Sequence, residues 1–256
     1  MNKKLFFLVA TPRSGNTLFA SIINQNPEIV CTANSITLEI MKDILFLKQS
    51  DIFINFPDHN SLDNVLDSVY DSYYKNWPQK YIIDRGPATL SSNFELLNKH
   101  YRRPFKCIIL VRDLIDIFAS FIKWYKQNPS SFVNSLGNTD EEKLTRLMNK
   151  EGIIAKNLEA IQNSFNYPEI CYFIKYNDIV SNPEKTFNDL YKFLEIKPFK
   201  HNFQNLKQLE INNIGYNDKV FGKNMHTIKT KIVKEINPYL KDVPESLIKK
   251  YGHIKF

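Results

Sequence analysis

Residues 5–20 read LFFLVATPRSGNTLFA. A six-residue apolar run, Leu5 to Ala10, ends in a turn cluster, and an apolar pattern with helical spacing resumes at Leu18. The order predicted is a strand, a tight loop of phosphate size and a helix N-terminus. A helix that begins just after Gly15 points the backbone N–H groups of Ser14, Gly15, Asn16 and Thr17, and the positive end of its dipole, into the loop. An anion is therefore expected there, and a phosphate is the natural one.

The loop nearly fits the nucleoside-triphosphate P-loop pattern, with Ala10 where the first Gly belongs and Gly15 and Thr17 in register. The slot for the phosphate-reaching Lys holds Asn16 instead, while Arg13 offers a cation two residues before Gly15. That substitution argues against a kinase or ATPase. The segment Pro12 to Thr17, PRSGNT, closely resembles the PRSG(S/T)T signature of the sulfotransferases, in which this loop holds the 5′-phosphosulfate of the donor 3′-phosphoadenosine 5′-phosphosulfate.

Composition bounds the answer without choosing it. The chain has 256 residues, 43% apolar and 24% charged. That suits one large α/β domain over residues 1–256 and excludes global disorder. A net charge of +7 implies an anionic partner: nucleic acid, an anionic membrane surface, an acidic acceptor or a doubly phosphorylated cofactor. Lys is spread along the chain with no basic arm and no known nucleic-acid motif, so nucleic acid is not expected as a partner. Cys31, Cys107 and Cys171 are too far apart for a zinc spacing, and each falls in a short apolar segment read as a strand. They are expected as buried free thiols in a cytoplasmic setting. The N-terminus imitates the start of a signal peptide, but its short apolar run leads straight into the loop, and no run approaches membrane-spanning length. Oligomeric state stays open.

Further along, Thr17 to Gln25 reads as a helix, Glu28 to Cys31 as a short apolar piece, and Ile36 to Leu47 as a helix capped by Ser35. Glu39 lies on the first turn of that second helix, where an acid complements the dipole and is also a candidate general base. Residues 50–60 read as aromatic and turn-rich, and Ser61 to Trp77 as helical. Tyr81-Ile82-Ile83 reads as a buried strand ending in Asp84-Arg85-Gly86-Pro87, with Arg85 projecting into the crevice where open α/β sheets bind ligands. Lys106 to Val111 is the clearest buried strand, ending in Arg112-Asp113, and a helix follows over Leu114 to Tyr125. On that helix Asp113, Asp116 and Ser120 form a polar stripe, which lets Arg112 and Ser120 meet one anion.

That junction matches a second signature of the sulfotransferases, Arg-Asp followed by a helix with Ser eight residues after the Arg, in which the Arg and Ser hold the 3′-phosphate. The segment after Tyr81-Ile82-Ile83 resembles the Lys-x-Pro element of tyrosylprotein-type members, whose Lys touches the transferring sulfuryl group; Arg85 stands in its place, a planar fork instead of a point charge. Tyr176 to Glu184 resembles a third block of the family, and there Tyr176 is either an adenine contact or a core aromatic. Asn182 as cap with Pro183 at the first helical position predicts a helix with Phe187, Leu190, Tyr191 and Leu194 on its buried face. Residues 126–139 are a long polar connection expected to be a lid or acceptor loop. In the tail, residues 215–256 are expected to close over the cofactor, with Lys219, Lys223 and Lys229 as candidate contacts or as an ordinary solvated run. His226 is read as structural, cofactor-contacting or catalytic.

The resemblance covers Leu5 to about Leu194 and is closer to the bacterial and tyrosylprotein-type branch than to the small-molecule cytosolic branch. It implies an α/β fold, a P-loop NTPase-like central parallel sheet flanked by helices. It also implies transfer of a sulfuryl group from 3′-phosphoadenosine 5′-phosphosulfate to a hydroxyl or amine, with 3′-phosphoadenosine 5′-phosphate as product and no metal. Arg13, Arg85 and the loop amides would neutralise charge on the transferring group. The general base departs from the family. Cytosolic members use a His where this chain has Gly86 and Pro87, and tyrosylprotein-type members use a Glu where it has Asn34. Glu39 is preferred as the substitute, with His226 second. The acceptor, whether sugar, lipid, peptide or small molecule, is not named by the sequence. A P-loop kinase of a small metabolite and a non-catalytic nucleotide or polyanion binder are the other readings.

Overall fold

The computed structural model describes residues 3–220, 225–234 and 236–256. The stretch that opens the sequence forms β1 (Lys4–Ala10). Leu5, Phe7 and Val9 point into one apolar cluster, and Phe6, Leu8 and Ala10 point into another on the opposite face. Because both faces are covered, the strand is apolar throughout instead of alternating. Each large side chain wholly removed from water on β1 contributes roughly 1.5–3 kcal/mol.

On one side of β1 lie β3 (Tyr81–Arg85) and then β2 (Ile29–Cys31); on the other lie β4 (Lys106–Val111) and β5 (Cys171–Lys175). The five strands are parallel in the order β2-β3-β1-β4-β5. Helix α1 (Asn16–Ile23) links β1 to β2, and α2 (Ile36–Leu47), α3 (Asp51–Asn55) and α4 (His59–Tyr73) lead to β3. Between β3 and β4 runs α5 (Ser91–His100); between β4 and β5 run α6 (Leu114–Gln127), α7 (Asp140–Leu147) and α8 (Ile153–Ser164). After β5 come α9 (Tyr176–Ser181), α10 (Pro183–Leu194), a hairpin of β6 (Glu210–Ile211) and β7 (Ile214–Gly215), and α11 (Glu245–Tyr251).

Leu38 and Met41 of α2, Leu66 and Tyr70 of α4, Leu97 of α5 and Ile161 of α8 cover the face that carries Phe7. Phe19 and Ile22 of α1 with Phe187 and Leu190 of α10 cover the other. A third cluster lies under α6, where Phe118, Phe121 and Trp124 meet Leu144 and Leu247. After β3 the chain crosses to the opposite side of β1, so the carboxyl ends of β1 and β4 flank the point where strand order reverses, the position at which such sheets open a ligand crevice.

Most elements fall where the sequence places them, and the differences have local causes. Ser35 caps α2 by accepting from the N–H of Leu38. Residues 50–60 are not irregular: Ser50 caps α3 and Asp58 caps α4, so two serial caps fold what composition presents as turn-rich. Asn182 occupies the position before α10 but its side chain makes no capping bond, and Pro183 begins the helix. Helix α9 is absent from the sequence reading because six residues carry too little periodicity to register. Residues 128–139 contain a 3₁₀ turn over Phe132–Leu136, tied by Asn134 Nδ2 to the carbonyls of Tyr125, Asn128 and Pro129. The three cysteines are free and buried, on β2, β4 and β5.

Among the described residues, one carboxylate lies wholly inside. Asp84, 0% exposed, accepts from the hydroxyls of Thr32, Ser35 and Thr37. It thereby fastens the segment between β2 and α2 to the end of β3. Burial outweighs those hydrogen bonds and pushes its pKa from 3.8 up to about 6. A carboxyl that holds its proton more tightly folded than unfolded weakens the fold when ionised, so its contribution improves as pH falls from about 6 toward 4. Urea unfolding of the wild type and of Asp84→Asn at about pH 7 and about pH 4.5 checks this. The wild type gains stability relative to the variant at the lower pH, and a difference that does not change with pH contradicts it.

Candidate active site

The turn between β1 and α1 is built from two left-handed residues. Arg13 has φ 69° and Gly15 has φ 98°. Glycine meets no steric cost there, but an arginine does, and strain of this kind persists only where neighbours over-determine it. The neighbours are present. Ser14 N–H donates to the Thr11 carbonyl at 3.3 Å, the Thr11 and Ser14 hydroxyls bond each other, and Asn16 Nδ2 donates to the Thr11 carbonyl at 3.2 Å. Arg112 Nη1 donates to the carbonyl of Arg13 itself at 3.0 Å. Asn16, in the slot of the usual Lys, thus bends back to brace the loop.

Helix α1 starts without a side-chain cap, its first intrahelical bond running from Phe19 N–H to the Gly15 carbonyl at 2.9 Å. The preceding amides, those of Asn16, Thr17 and Leu18, have no intrahelical partner and face the turn, the arrangement that receives an anion.

Three adjacent strands bring cations to this point. Arg85 ends β3, Arg13 follows β1 and Arg112 follows β4. Arg13 Nε donates to Ser120 Oγ on α6 at 3.1 Å and its Nη1 to the Met225 carbonyl at 2.8 Å. Arg112 stacks over the Tyr176 ring at 4.2 Å, and its buried Nε has no hydrogen-bond partner among the described residues. Arg85 donates through Nη1 to Tyr216 Oη and through Nη2 to Asn34 Oδ1, each at 3.1 Å. Burial and the neighbouring Arg112 push the Arg13 pKa down to about 10, against the opposing pull of Asp218 and Tyr176. Cations held this close inside a cleft favour an anion between them.

The sequence pairs Ser120 with Arg112. In the structure the Ser120 hydroxyl meets Arg13, and Arg112 grips the Arg13 backbone, so the two expected phosphate sites form one continuous cleft of about 980 Å³. Gly15, Asn16, Thr17 and Tyr176 also line it, while Ser14 is buried beneath. Glu39 lies on the wall with its side chain 63% exposed and paired to Lys42 at 3.1 Å. Lys223 falls outside the described residues.

Asp84, Tyr216 and Asp218 were not singled out from sequence. Asp84 carries a faint signal, an acid inside an apolar strand. Tyr216 and Asp218 carry none, because only tertiary contact reveals them: the Tyr216 ring stacks on His226 at 3.7 Å and 5°, and Asp218 Oδ1 lies 2.6 Å from His226 Nδ1.

A parallel α/β sheet with a tight turn and an uncapped helix start at the end of its central strand has the P-loop-like form. The family model described as "Sulfotransferase family" matches residues 6–201, and the chain belongs to that family of enzymes. No curated protein sequence matches it. Among solved structures, the sulfotransferase domain of the Synechococcus PCC 7002 olefin synthase aligns with TM-score 0.57 at 13% identity, over 100% of this chain and 97% of that one. Mouse sulfotransferase SULT7A1, complexed with PAP, aligns with TM-score 0.57 at 16% identity, over 98% and 82%. The sulfotransferase domain from the curacin biosynthetic pathway aligns with TM-score 0.52 at 18% identity, over 100% and 92%. At these identities the likeness is one of fold. No helix among the described residues is long and apolar enough to cross a membrane.

The turn itself is testable. A Cβ at Gly15 would lie 2.6 Å from Tyr176 Cδ2, in addition to the cost of φ 98°. Gly15→Ala is therefore expected to lower thermal stability by the left-handed penalty, roughly 1–2 kcal/mol, plus the clash. Adding Tyr176→Ala relieves only the clash, so in a double-mutant cycle the two changes couple favourably. Simple additivity would mean that the ring does not press on the turn.

Proposed function

We propose that this enzyme transfers a sulfuryl group from 3′-phosphoadenosine 5′-phosphosulfate to a hydroxyl or amine of its acceptor. The observation that carries the reading is the convergence of Arg85, Arg13 and Arg112, from three adjacent strands, on the uncapped start of α1. One anion site at a helix N-terminus suits any phosphate. A second set of donors one strand away, Arg112 with its unpartnered Nε and the Ser120 hydroxyl, suits a donor phosphorylated at both the 5′ and 3′ positions. The mouse structure complexed with PAP supports the same donor class.

In this assignment the amides of Gly15, Asn16 and Thr17 hold the 5′-phosphate, Ser14 braces the turn beneath them with its N–H on the Thr11 carbonyl, and Arg13 and Arg85 lie against the transferring group. Arg112 and Ser120 take the 3′-phosphate, and Tyr176 borders the base. Arg13 leaves Ser120 and turns toward the sulfuryl end when the donor enters, which frees the Ser120 hydroxyl for the 3′-phosphate. Transfer is in line, and the chain's part is positioning and neutralisation of charge on the bridging and peripheral oxygens. Residues 1–256 act as one domain whose C-terminal segment covers the donor; Met225 and His226 already line the cleft. Asn16, bonded to the Thr11 carbonyl, supplies no cation for a triphosphate, so a small-metabolite kinase fits less well.

The test is to incubate the protein with sulfur-labelled donor and a panel of sugars, lipids, phenols and peptides. Label should appear in one acceptor class, with 3′,5′-bisphosphate released in equal amount. Arg13→Ala should lower kcat by roughly 10²–10³ with little change in donor affinity. Arg112→Ala should chiefly weaken donor binding, by about tenfold or more. The reverse pattern would exchange the two halves of the site, and transfer of phosphate from ATP instead of sulfate would overturn the reading.

A further inference from the structure

In-line transfer to a hydroxyl needs a group that takes the acceptor's proton, and the positions that supply one elsewhere in the family hold Asn34, Gly86 and Pro87 here. Among the described residues, two side chains on the cleft wall, Glu39 and His226, are of the types that serve as general bases. Their surroundings differ. Glu39 is exposed and already paired to Lys42. The His226 side chain is 14% exposed and is fixed on three sides. Its Nδ1 bonds Asp218 Oδ1 at 2.6 Å, its backbone N–H donates to Asp218 Oδ2 at 3.0 Å, and its ring lies flat on Tyr216 at 3.7 Å.

That setting links His226 to both cations assigned to the transferring group. The Tyr216 hydroxyl accepts from Arg85, and the carbonyl of Met225, the residue before His226, accepts from Arg13. A carboxylate on Nδ1 holds the imidazole as the tautomer with its proton on Nδ1, leaving the Nε2 lone pair for a substrate proton.

We infer that His226, oriented by Asp218, is the general base of this enzyme. The inference rests on the proposed sulfuryl transfer. Nε2 takes the proton of the acceptor hydroxyl as that oxygen bonds to sulfur. The bond from sulfur to the donor's phosphate oxygen breaks, its electron pair stays on that phosphate, and the imidazolium then gives its proton to solvent. Asp218 is the positioning residue: it stabilises the imidazolium and does not touch the acceptor. The groups that face the ring are Asp218, Tyr216, Arg85 and Arg13. Burial, assisted by the two arginines, lowers the His226 pKa from 6.5 against the pull of Asp218, so the base is neutral and competent at pH 7.

Sulfate release from sulfur-labelled donor, with water as the acceptor, tests this before the natural acceptor is identified. Measured against pH, the wild-type rate should fall on the acid side as His226 protonates. His226→Gln should lower the rate by roughly 10²–10⁴ and remove that acid limb, while calorimetry with 3′,5′-bisphosphate finds donor-site affinity within about twofold. Asp218→Asn should lower the rate and move the limb to lower pH, since it removes the group that raises the His226 pKa. An unchanged rate and limb in His226→Gln would overturn the inference, as would loss of the limb in Glu39→Gln instead. A wild type that binds no bisphosphate and releases no sulfate would overturn the proposed function itself, and the inference with it. A wild type that does both while His226→Gln is unimpaired removes only the base.

Discussion

The structure depends on the left-handed turn at Arg13 and Gly15. Strand β1 runs apolar to Ala10 and must then reverse direction within a few residues so that α1 can pack Phe19 and Ile22 back on the same sheet. The turn that does so has positive φ at two positions, and it leaves the first amides of α1 without a side-chain cap. Every other feature of the cleft answers to that geometry. Thr11, Ser14 and Asn16 brace the turn from within, Arg112 pins its strained carbonyl from the next strand, and the Tyr176 ring closes on Gly15 so tightly that no Cβ fits. The turn is a packing solution and, in the proposed function, the anion site as well.

Charge follows from the same arrangement. Parallel strands in register deliver their terminal residues to one edge, so Arg85, Arg13 and Arg112 arrive together without any loop having to search for the others. Burial in the cleft, with repulsion from Arg112 second, lowers the pKa of Arg13. A polyanion relieves that repulsion, and its binding energy can order the segments around it. Asp84 contributes indirectly. By gathering the hydroxyls of Thr32, Ser35 and Thr37 it holds the end of β3, and the backbone N–H of Arg85 donates to Thr32 Oγ1 at 2.9 Å. A buried carboxyl thus anchors the strand end that carries a half-buried cation.

The fold was legible because its signals are local. The apolar runs of β1 and β4, the breaker cluster between β1 and α1, and the cap at Ser35 each act over a few residues, and each forms the expected element. Both arginine positions read from strand-to-helix junctions, Arg13 and Arg112, line the cleft for the same reason. The parts that were not legible are those made by distant contact. That Ser120 meets Arg13 rather than Arg112 is a contact between residues 107 positions apart, which no local spacing encodes. The pairing of Asp218 with His226, and the stacking of that ring on Tyr216, join residues of a tail with little periodic structure. Residues 50–60 misled because their caps, Ser50 and Asp58, are the same residue types that mark turns.

In the proposed function one cleft binds two phosphates, the 5′ on the uncapped start of α1 and the 3′ on Arg112 with Ser120. Calorimetric titration of the protein with adenosine 3′,5′-bisphosphate, adenosine 5′-monophosphate and magnesium ATP tests it most directly. The account predicts that the bisphosphate binds tightest, with loss of the 3′-phosphate costing about tenfold or more in affinity. Equal affinity for the bisphosphate and the 5′-monophosphate, or binding of magnesium ATP alone, would contradict it.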